Sequence, residues 1–335
     1  MREFSKKDYQ GLKSTLCTGC GHDSVTNHII TSLFKSKVNP FKVAKMSGIG
    51  CSSKTPAYFL SLSHGFNSIH GRMAPTATGA KLVNPELTTL GISGDGDTAS
   101  IGLGGFAHLI RRNIPMVYII ENNGVYGLTK GQFSATADEG STQKSGEVNP
   151  FDSIDLCSMA LQLGCSFVAR SFSGDAKQLV PLLEAAFQHP GTSVIDVISP
   201  CITFANHEGS TKSFKSVKEH LVQLQELGYI HSQEEIKVEY EEGEYKEVEM
   251  ADGSKLLLKK IDSKNHDISN REVALQSLQE SSSKGEILTG LFYLDSKKPN
   301  LQKLMNLSDQ PLTQLDEKTA RISEEEFFQV LNKYR

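Results

Sequence analysis

The chain has 335 residues, of which 38% are hydrophobic and 22% are charged, and its formal net charge is −4. A chain of this length can bury a sizeable core, and its slightly acidic balance argues against a basic patch strong enough to attract nucleic acid or an anionic membrane. Residues 1–11 lack the apolar stretch of a secretory signal, and no run of about 18 apolar residues follows. We therefore expect a cytoplasmic protein without a membrane or nucleic-acid partner.

Residues 23–197 alternate amphipathic helical stretches with short β-branched runs, which is the pattern of parallel βαβ units. The predicted strands are Lys42–Ser47, Leu87–Ser93, Pro115–Glu121, Ser166–Ser171 and Thr192–Ser199. The predicted helices are residues 23–37, 53–62, 74–83, 100–113, 152–164 and 175–189. This alternation predicts an α/β fold with a doubly wound parallel sheet, whose ligand site lies beyond the carboxyl ends of the strands.

After about Phe204 the sequence becomes more charged and loses the βαβ pattern. Residues 240–249 alternate acidic with apolar side chains, and Asp252-Gly253 is typical of a hairpin turn. Residues 285–295 indicate one more strand or an extended arm, and residues 323–334 have helical spacing. We therefore divide the chain into an N-terminal segment (1–22), a sheet domain (23–204) and a C-terminal appendage (205–335) in which no chemistry is evident.

A Gly-Asp-Gly-Asp motif at residues 94–97 directly follows one predicted strand, and Asn122-Asn123 closes the next one. Both motifs therefore reach the same edge of the sheet. A Mg²⁺ ion that carries a diphosphate takes hard oxygen ligands. Asp95, the side-chain amide of Asn123 and the backbone carbonyl of Val125 would supply that set.

The glycines of this motif support the same site, because Gly94 and Gly96 lack a Cβ and let the backbone approach phosphate closely. An EF-hand loop beginning at Asp95 would need Gly and Glu where the chain has Ser100 and Phe106. A nicotinamide site would need its glycines in a strand-to-helix turn, whereas residues 102–105 lie inside a predicted helix. A GDG motif followed by paired asparagines resembles the thiamine-diphosphate signature.

Four of the six cysteines come from three separate segments: Cys17 and Cys20 form a Cys-x-x-Cys pair before the first predicted helix, and Cys51 and Cys201 follow strands at that edge. Such a set suits either a 4Fe-4S cluster or structural zinc. Electron transfer favours the cluster, because distant loops converge here beside a predicted cofactor. Cys157 and Cys165 belong instead to an apolar helical stretch, where a thiol packs as a small hydrophobe.

Six segments occur in an order that carries a family resemblance: CTGCGH (17–22), GIGCSS (48–53), IHGR (69–72), GDGD (94–97), ENNGVYGLT (121–129) and SPC (199–201). Over residues 10–335 the chain resembles the β subunits of 2-oxoacid:ferredoxin oxidoreductases. The resemblance implies the thiamine-diphosphate-binding fold, with thiamine diphosphate, Mg²⁺ and a 4Fe-4S cluster as cofactors. It makes residues 1–22 a cluster-ligand segment and residues 205–335 a subunit contact or a cover over the cluster.

The resemblance also implies reactants and a partner chain. The family decarboxylates a 2-oxoacid, passes two electrons singly through its cluster to ferredoxin, and transfers the acyl group to coenzyme A. A second, pyrimidine-binding domain contributes a glutamate to the cofactor. Since only one doubly wound domain is predicted here, an α subunit should carry that second domain, in an α₂β₂ assembly.

The residues that the resemblance assigns to the thiamine cofactor are Ile49, Gly50, Cys51, Ser52, His70, Gly94, Gly96, Asp97, Gly127 and Leu128. His70 would contact the cofactor or shuttle a proton, with a structural hydrogen-bond donor as the alternative. Lys54 would pair with the distal carboxylate of 2-oxoglutarate, with a solvated helix lysine as the alternative. We therefore expect 2-oxoglutarate to be preferred over pyruvate.

Three other functions remain open from the sequence. The first is a subunit for pyruvate or for a broad range of 2-oxoacids. The second is a thiamine-dependent enzyme without a cluster, in which the cysteines are incidental. The third is a zinc-stabilised binding module, for which the GDGD and Asn-Asn motifs would be coincidental.

Overall fold

A computed structural model describes residues 3–142, 146–201, 236–249 and 255–334. Its strands are β1 (Val43–Ser47), β2 (His64–Asn67), β3 (Thr88–Gly94), β4 (Met116–Asn122), β5 (Val125–Tyr126), β6 (Gln132–Phe133), β7 (Phe167–Phe172), β8 (Thr192–Ile198), β9 (Tyr245–Glu249), β10 (Lys255–Lys260) and β11 (Ile287–Leu294). Its α-helices are α1 (Gly21–Lys35), α2 (Met73–Val83), α3 (Leu103–Arg111), α4 (Leu156–Gln162), α5 (Ala176–Gln188), α6 (Arg271–Ser283), α7 (Leu301–Leu304), α8 (Glu317–Ala320) and α9 (Glu324–Asn332). Short 3₁₀ helices cover Lys6–Tyr9, Pro40–Lys42, Cys51–Tyr58 and Leu312–Gln314, and a π-helical turn covers Asp97–Ile101.

Among the described residues, nine strands form one sheet in the order β2-β1-β3-β4-β8-β7-β11-β10-β9. The first six of these strands pair in parallel with their neighbours. β11 then runs antiparallel to β7, β10 parallel to β11, and β9 antiparallel to β10. The predicted α/β class with a large, mostly parallel sheet is therefore confirmed.

The central strand β4 explains why helices cover both faces of this sheet. Its seven residues are all buried, and successive side chains of a strand point to opposite faces. Tyr118 and Ile120 pack with α2, α3, α4 and α6 in one apolar core, whereas Val117 and Ile119 pack with α1 and α5 in a second. Burial of each such side chain stabilises the fold by about 1.5–3 kcal/mol. A face of the sheet left exposed to water would therefore lose much of this stabilisation, and helices cover both faces.

The C-terminal region continues the sheet rather than standing beside it. Leu256 and Leu258 of β10 share an apolar cluster with Phe172 at the end of β7. An ion pair of 2.8 Å joins Lys260 to Asp175, the residue that caps α5. The alternation predicted over residues 240–249 ends in β9, whereas the predicted turn at Asp252-Gly253 lies outside the described residues.

The main departure from the predicted elements is the segment after β1, where a helix was expected over residues 53–62. A 3₁₀ helix, Cys51–Tyr58, stands there and contains Pro56, which has no N–H for an α-helical bond. The chain then turns at Leu60, whose φ is 47°. Buried Lys45 fixes this turn by donating hydrogen bonds to the carbonyl groups of Phe59 and Leu60.

In the part of the chain that the structure describes, no helix is both long enough and apolar enough to cross a membrane.

Candidate cofactor site

A cleft lies beyond the carboxyl ends of β1, β3 and β4, which are neighbours in the sheet. Eleven of the predicted site residues line it, namely Ile49–Ser52 and Gly94–Asp97 together with Asn123, Val125 and Gly127. Three lining residues were not predicted: His22, Glu121 and Tyr126. The edge of the sheet that was expected to hold the ligand therefore carries the cleft.

Glycine is required at two places in the wall of this cleft. A Cβ on Gly96 would stand 2.5 Å from Cζ of the Tyr126 ring, whose hydroxyl donates a hydrogen bond of 2.8 Å to the Gly96 carbonyl. Gly50 has a φ of 76°, a conformation that other residues rarely adopt. Backbone without side chains therefore faces the cleft, as close binding of a phosphate requires.

Asp95 is a fully buried carboxylate in the floor of the cleft. Its Oδ2 accepts hydrogen bonds from the hydroxyl groups of Ser134 and Thr136, the second at 2.6 Å. Its Oδ1 accepts one from the backbone N–H of Asn123 at 3.2 Å, and the amide oxygen of Asn123 accepts one from the N–H of Val125 at 3.1 Å. The carboxylate and the amide keep lone pairs for a cation, and hard oxygens of this kind fit Mg²⁺.

Asp97 also lines the cleft, but both of its carboxylate oxygens are engaged within the protein. Oδ1 accepts a hydrogen bond of 2.8 Å from the backbone N–H of Gly71, and Oδ2 accepts one of 2.9 Å from the hydroxyl of Ser93. The carboxylate thereby anchors the loop that contains His70 to the end of β3.

A second buried acid, Glu121, connects three segments around the cleft. Its two carboxyl oxygens each lie 3.0 Å from the hydroxyl of Thr55, and Oε2 lies 3.8 Å from Nε2 of His22. The other ring nitrogen of His22 is 2.7 Å from the hydroxyl of Ser199. Each of these residues stands within four positions of a predicted ligand. Thr55 follows Cys51 and His22 follows Cys20, whereas Ser199 precedes Cys201 and Glu121 precedes Asn123.

The pair formed by His22 and Glu121 is favoured in its uncharged form. Burial raises the pKa of Glu121 well above its usual value, although the hydrogen bond from Thr55 opposes this. Burial lowers the pKa of His22 to about 4. At neutral pH His22 is therefore uncharged, and its 3.8 Å contact with Glu121 is not an ion pair. The sequence held a signal for Glu121, because it is a single charge at the end of an otherwise apolar strand.

The four cysteines predicted as ligands lie close enough to influence one another. Burial first, and then the neighbouring thiols of Cys201 and Cys17, raise the pKa of Cys51 to about 11. Burial, together with Cys201, also raises the pKa of Cys20. The raised pKa values of Cys20 and Cys51 favour their protonated thiols, and binding iron or zinc there would have to displace the protons.

Among the described residues, no group of three or more His, Cys, Asp or Glu side chains has an arrangement that could hold a metal ion. The magnesium and cluster sites therefore stay predictions. The donor types are nevertheless suitable, since oxygens surround the floor of the cleft and thiols stand at its side. Cys157 and Cys165 are fully buried in the apolar core, as expected.

Besides Cys17, Cys20 and Cys201, three predicted residues lie outside the lining of the cleft. Lys54 is half-buried on the 3₁₀ helix, where its charge lowers the pKa of Cys51. His70 is exposed, and Leu128 is 53% exposed. The roles predicted for these residues therefore need a substrate or a partner chain that reaches beyond the cleft.

Comparison with known proteins agrees with this geometry. The family described as "Thiamine pyrophosphate enzyme, C-terminal TPP binding domain" matches residues 48–197, which contain β3, β4 and every residue that lines the cleft except His22. A 2-oxoglutarate synthase subunit KorB of Methanocaldococcus jannaschii is 34% identical over 246 residues, 71% of this chain and 89% of that one. The chain belongs to the β subunits of the 2-oxoacid:ferredoxin oxidoreductase family.

Other members of this β-subunit family show the same likeness over different spans. The Sulfolobus 2-oxoacid:ferredoxin oxidoreductase subunit beta is 41% identical over 189 residues, 56% of this chain and 62% of that one. The chain thus spans about three fifths of the length of that curated relative. The solved structure of "2-oxoglutarate:ferredoxin oxidoreductase from Magnetococcus marinus with 2-oxoglutarate, coenzyme A and succinyl-CoA bound" has a TM-score of 0.73 and 26% identity, covering 100% of this chain and 97% of that one.

Proposed function

We propose that the chain is the cofactor-binding subunit of an enzyme that converts 2-oxoglutarate, coenzyme A and two oxidised ferredoxins into succinyl-CoA, CO₂, two reduced ferredoxins and a proton. The observation that carries this proposal is the convergence of the Asp95, Asn123 and Cys51 segments on one cleft at the carboxyl ends of neighbouring parallel strands. The reverse, carboxylating direction uses the same residues.

Asp95, Asn123 and the carbonyl of Val125 would hold Mg²⁺ and, through it, the diphosphate of thiamine diphosphate. Bound there, the cofactor would supply the carbanion stabilisation that loss of CO₂ from a 2-oxoacid requires. The part of this chain is to bind and orient. Gly96 would bring backbone to the phosphate, and Tyr126 fixes that backbone through its hydrogen bond to the Gly96 carbonyl.

Cys17, Cys20, Cys51 and Cys201 would hold a 4Fe-4S cluster beside this cleft, and such a cluster would supply one-electron transfer to ferredoxin. Cys51 lines the cleft itself, which supports a short path for electrons from the reacting carbon. A cluster-free enzyme would have no use for thiols at this position.

Two findings support 2-oxoglutarate as the substrate. Lys54 lies near Cys51 at the side of the cleft, where its ammonium group can meet a second carboxylate. The Methanocaldococcus relative is named for 2-oxoglutarate, and the Magnetococcus enzyme was solved with 2-oxoglutarate, coenzyme A and succinyl-CoA. An α subunit, in an α₂β₂ assembly, would provide the pyrimidine-binding domain that this chain does not contain among its described residues.

The proposal is tested by isolating the chain anaerobically with its α subunit. We expect a brown protein that contains iron and sulfide and that reduces ferredoxin only when 2-oxoglutarate, coenzyme A, thiamine diphosphate and Mg²⁺ are all present. Asp95→Ala should abolish the response to thiamine diphosphate. A colourless protein that contains zinc and does not respond to thiamine diphosphate would instead favour a zinc-stabilised binding module.

A further inference from the structure

Two hydroxyl groups outside the recognised motifs hold the carboxylate of Asp95. Ser134 and Thr136 follow β6, and both are buried, with exposed fractions of 5% and 0%. Ser134 donates to Asp95 Oδ2, and Thr136 Oγ1 lies 2.6 Å from the same oxygen. Thr136 Oγ1 is also 3.1 Å from the amide oxygen of Asn122. The hydroxyl of Thr136 has a single hydrogen to donate, and the shorter distance assigns that hydrogen to Asp95.

The hydrogen bonds leave Asp95 with one defined free position. Each carboxylate oxygen has about two lone pairs. On Oδ2 both are taken by the hydroxyl groups of Ser134 and Thr136, whereas Oδ1 accepts a single bond, from the N–H of Asn123. An ion bound in the cleft would therefore meet Asp95 through Oδ1, as a single-oxygen ligand rather than as a bidentate one.

The segment that carries these hydroxyl groups is itself fixed. The hydroxyl of Ser153 donates a bond of 2.9 Å to the Thr136 carbonyl, and the N–H of Ile154 donates one of 2.8 Å to the Ala135 carbonyl. The Ser134 N–H donates to the carbonyl of Gly124, next to Asn123. The two donors are therefore held in place from outside the cleft, before any ion binds.

We infer that Ser134 and Thr136 are positioning residues that orient Asp95 so that its free Oδ1 lone pair faces the diphosphate-bound cation. This inference rests on the proposed function, because it concerns the cation that the cleft would hold. Partners that orient a metal-binding carboxylate in this way are typically worth about 10- to 100-fold in metal affinity.

The test is the affinity for Mg²⁺, measured by calorimetry at saturating thiamine diphosphate on the full-length chain in its assembly with the α subunit. Thr136→Val keeps the shape of the side chain but removes its hydroxyl, and it should weaken Mg²⁺ binding about 10- to 100-fold. Thr136→Ser keeps the hydroxyl and should restore the affinity. Ser134→Ala should weaken binding in the same direction.

Thr192→Val is the matched control. Its hydroxyl is equally buried and donates a bond of 2.8 Å to the carbonyl of Ile114, but it lies at the start of β8, at the other end of the sheet from the cleft. Both valine variants lose a buried hydrogen bond and should unfold at lower temperature. Only Thr136→Val should change the affinity for Mg²⁺.

Equal Mg²⁺ affinity in wild type, Thr136→Val and Ser134→Ala would overturn the inference while leaving the proposed function intact. If the wild-type assembly itself shows no Mg²⁺-dependent binding of thiamine diphosphate, the proposed function fails and the inference with it. If Thr136→Val does not fold, Ser134→Ala becomes the deciding variant. It removes a single hydroxyl group and leaves only a space that a water molecule can fill.

Discussion

Arg170 offers the sharpest test of what holds the sheet together beneath the cleft. Its Nε donates a bond of 2.8 Å to Asp196, whose side chain is completely buried, and its Nη2 donates one of 2.6 Å to Asp155, whose side chain is 40% exposed. Replacing Arg170 by methionine keeps the length of the side chain but leaves Asp196 without a cation. Breaking a buried pair in this way costs about 3–5 kcal/mol, whereas the exposed pair with Asp155 adds only about 0–1 kcal/mol.

The loss should grow with pH. Burial raises the pKa of Asp196, and Arg170 opposes that rise. Without Arg170 the pKa in the folded state rises further above that in the unfolded chain. Ionisation of Asp196 then favours the unfolded chain. Its carboxyl group therefore leaves the free energy of unfolding unchanged below the pKa of the unfolded state, and lowers it progressively as the pH rises through the pKa of the folded state. Urea unfolding of Arg170→Met, followed by circular dichroism, should therefore show a larger deficit at about pH 8 than at about pH 5.

The double variant Arg170→Met with Asp196→Asn provides the control. It removes both buried charges, and an asparagine at this position still accepts the hydrogen bond of 3.0 Å that Asn122 donates to residue 196. It should be more stable than Arg170→Met alone at about pH 8. A deficit that is the same at both pH values, or a double variant no more stable than the single one, would refute the reasoning.

Three further predictions concern the site. Lys54→Met should reduce turnover of 2-oxoglutarate more than that of pyruvate, and an equal loss with both substrates in steady-state assays would remove the role of this lysine. Cys201→Ser should lose iron and visible absorption but keep Mg²⁺-dependent binding of thiamine diphosphate, as iron analysis and calorimetry would show. Gly96→Ala should prevent that binding, because the new Cβ meets the Tyr126 ring at 2.5 Å. Gly104→Ala, which has open space in α3, should bind normally and gain about 0.5–1 kcal/mol of stability in urea.

The strands and helices of the sheet were predictable because burial imposes a periodic pattern on the sequence. β4 was expected over Pro115–Glu121 and lies at Met116–Asn122, one residue further along. The short edge strand β2 was missed, since all four of its residues are exposed and carry no apolar pattern. The helix predicted over residues 53–62 is wrong, because Pro56 has no N–H for an α-helical hydrogen bond and a 3₁₀ helix forms instead.

The site was predictable where its residues stand together in sequence. The motifs around Asp95 and Asn123 each occupy a few positions at the end of a strand, and parallel pairing brings those ends together. Ser134 and Thr136 lie far from Asp95 in the chain and belong to no recognisable motif. Hydroxyl residues of this kind are frequent in loops, so only the folded chain distinguishes these two from the others.

The order of the strands in the sheet has a consequence for how the protein is made. β7 sits inside the finished sheet, yet its outer neighbour β11 is encoded much later in the chain than its inner neighbour β8. While the ribosome synthesises the residues between β8 and β11, the backbone N–H and C=O groups on that side of β7 have no strand to pair with. An unpaired strand edge of this kind pairs readily with another nascent copy of the chain. Slow translation or a premature stop between β8 and β11 should therefore yield aggregates rather than a smaller folded protein.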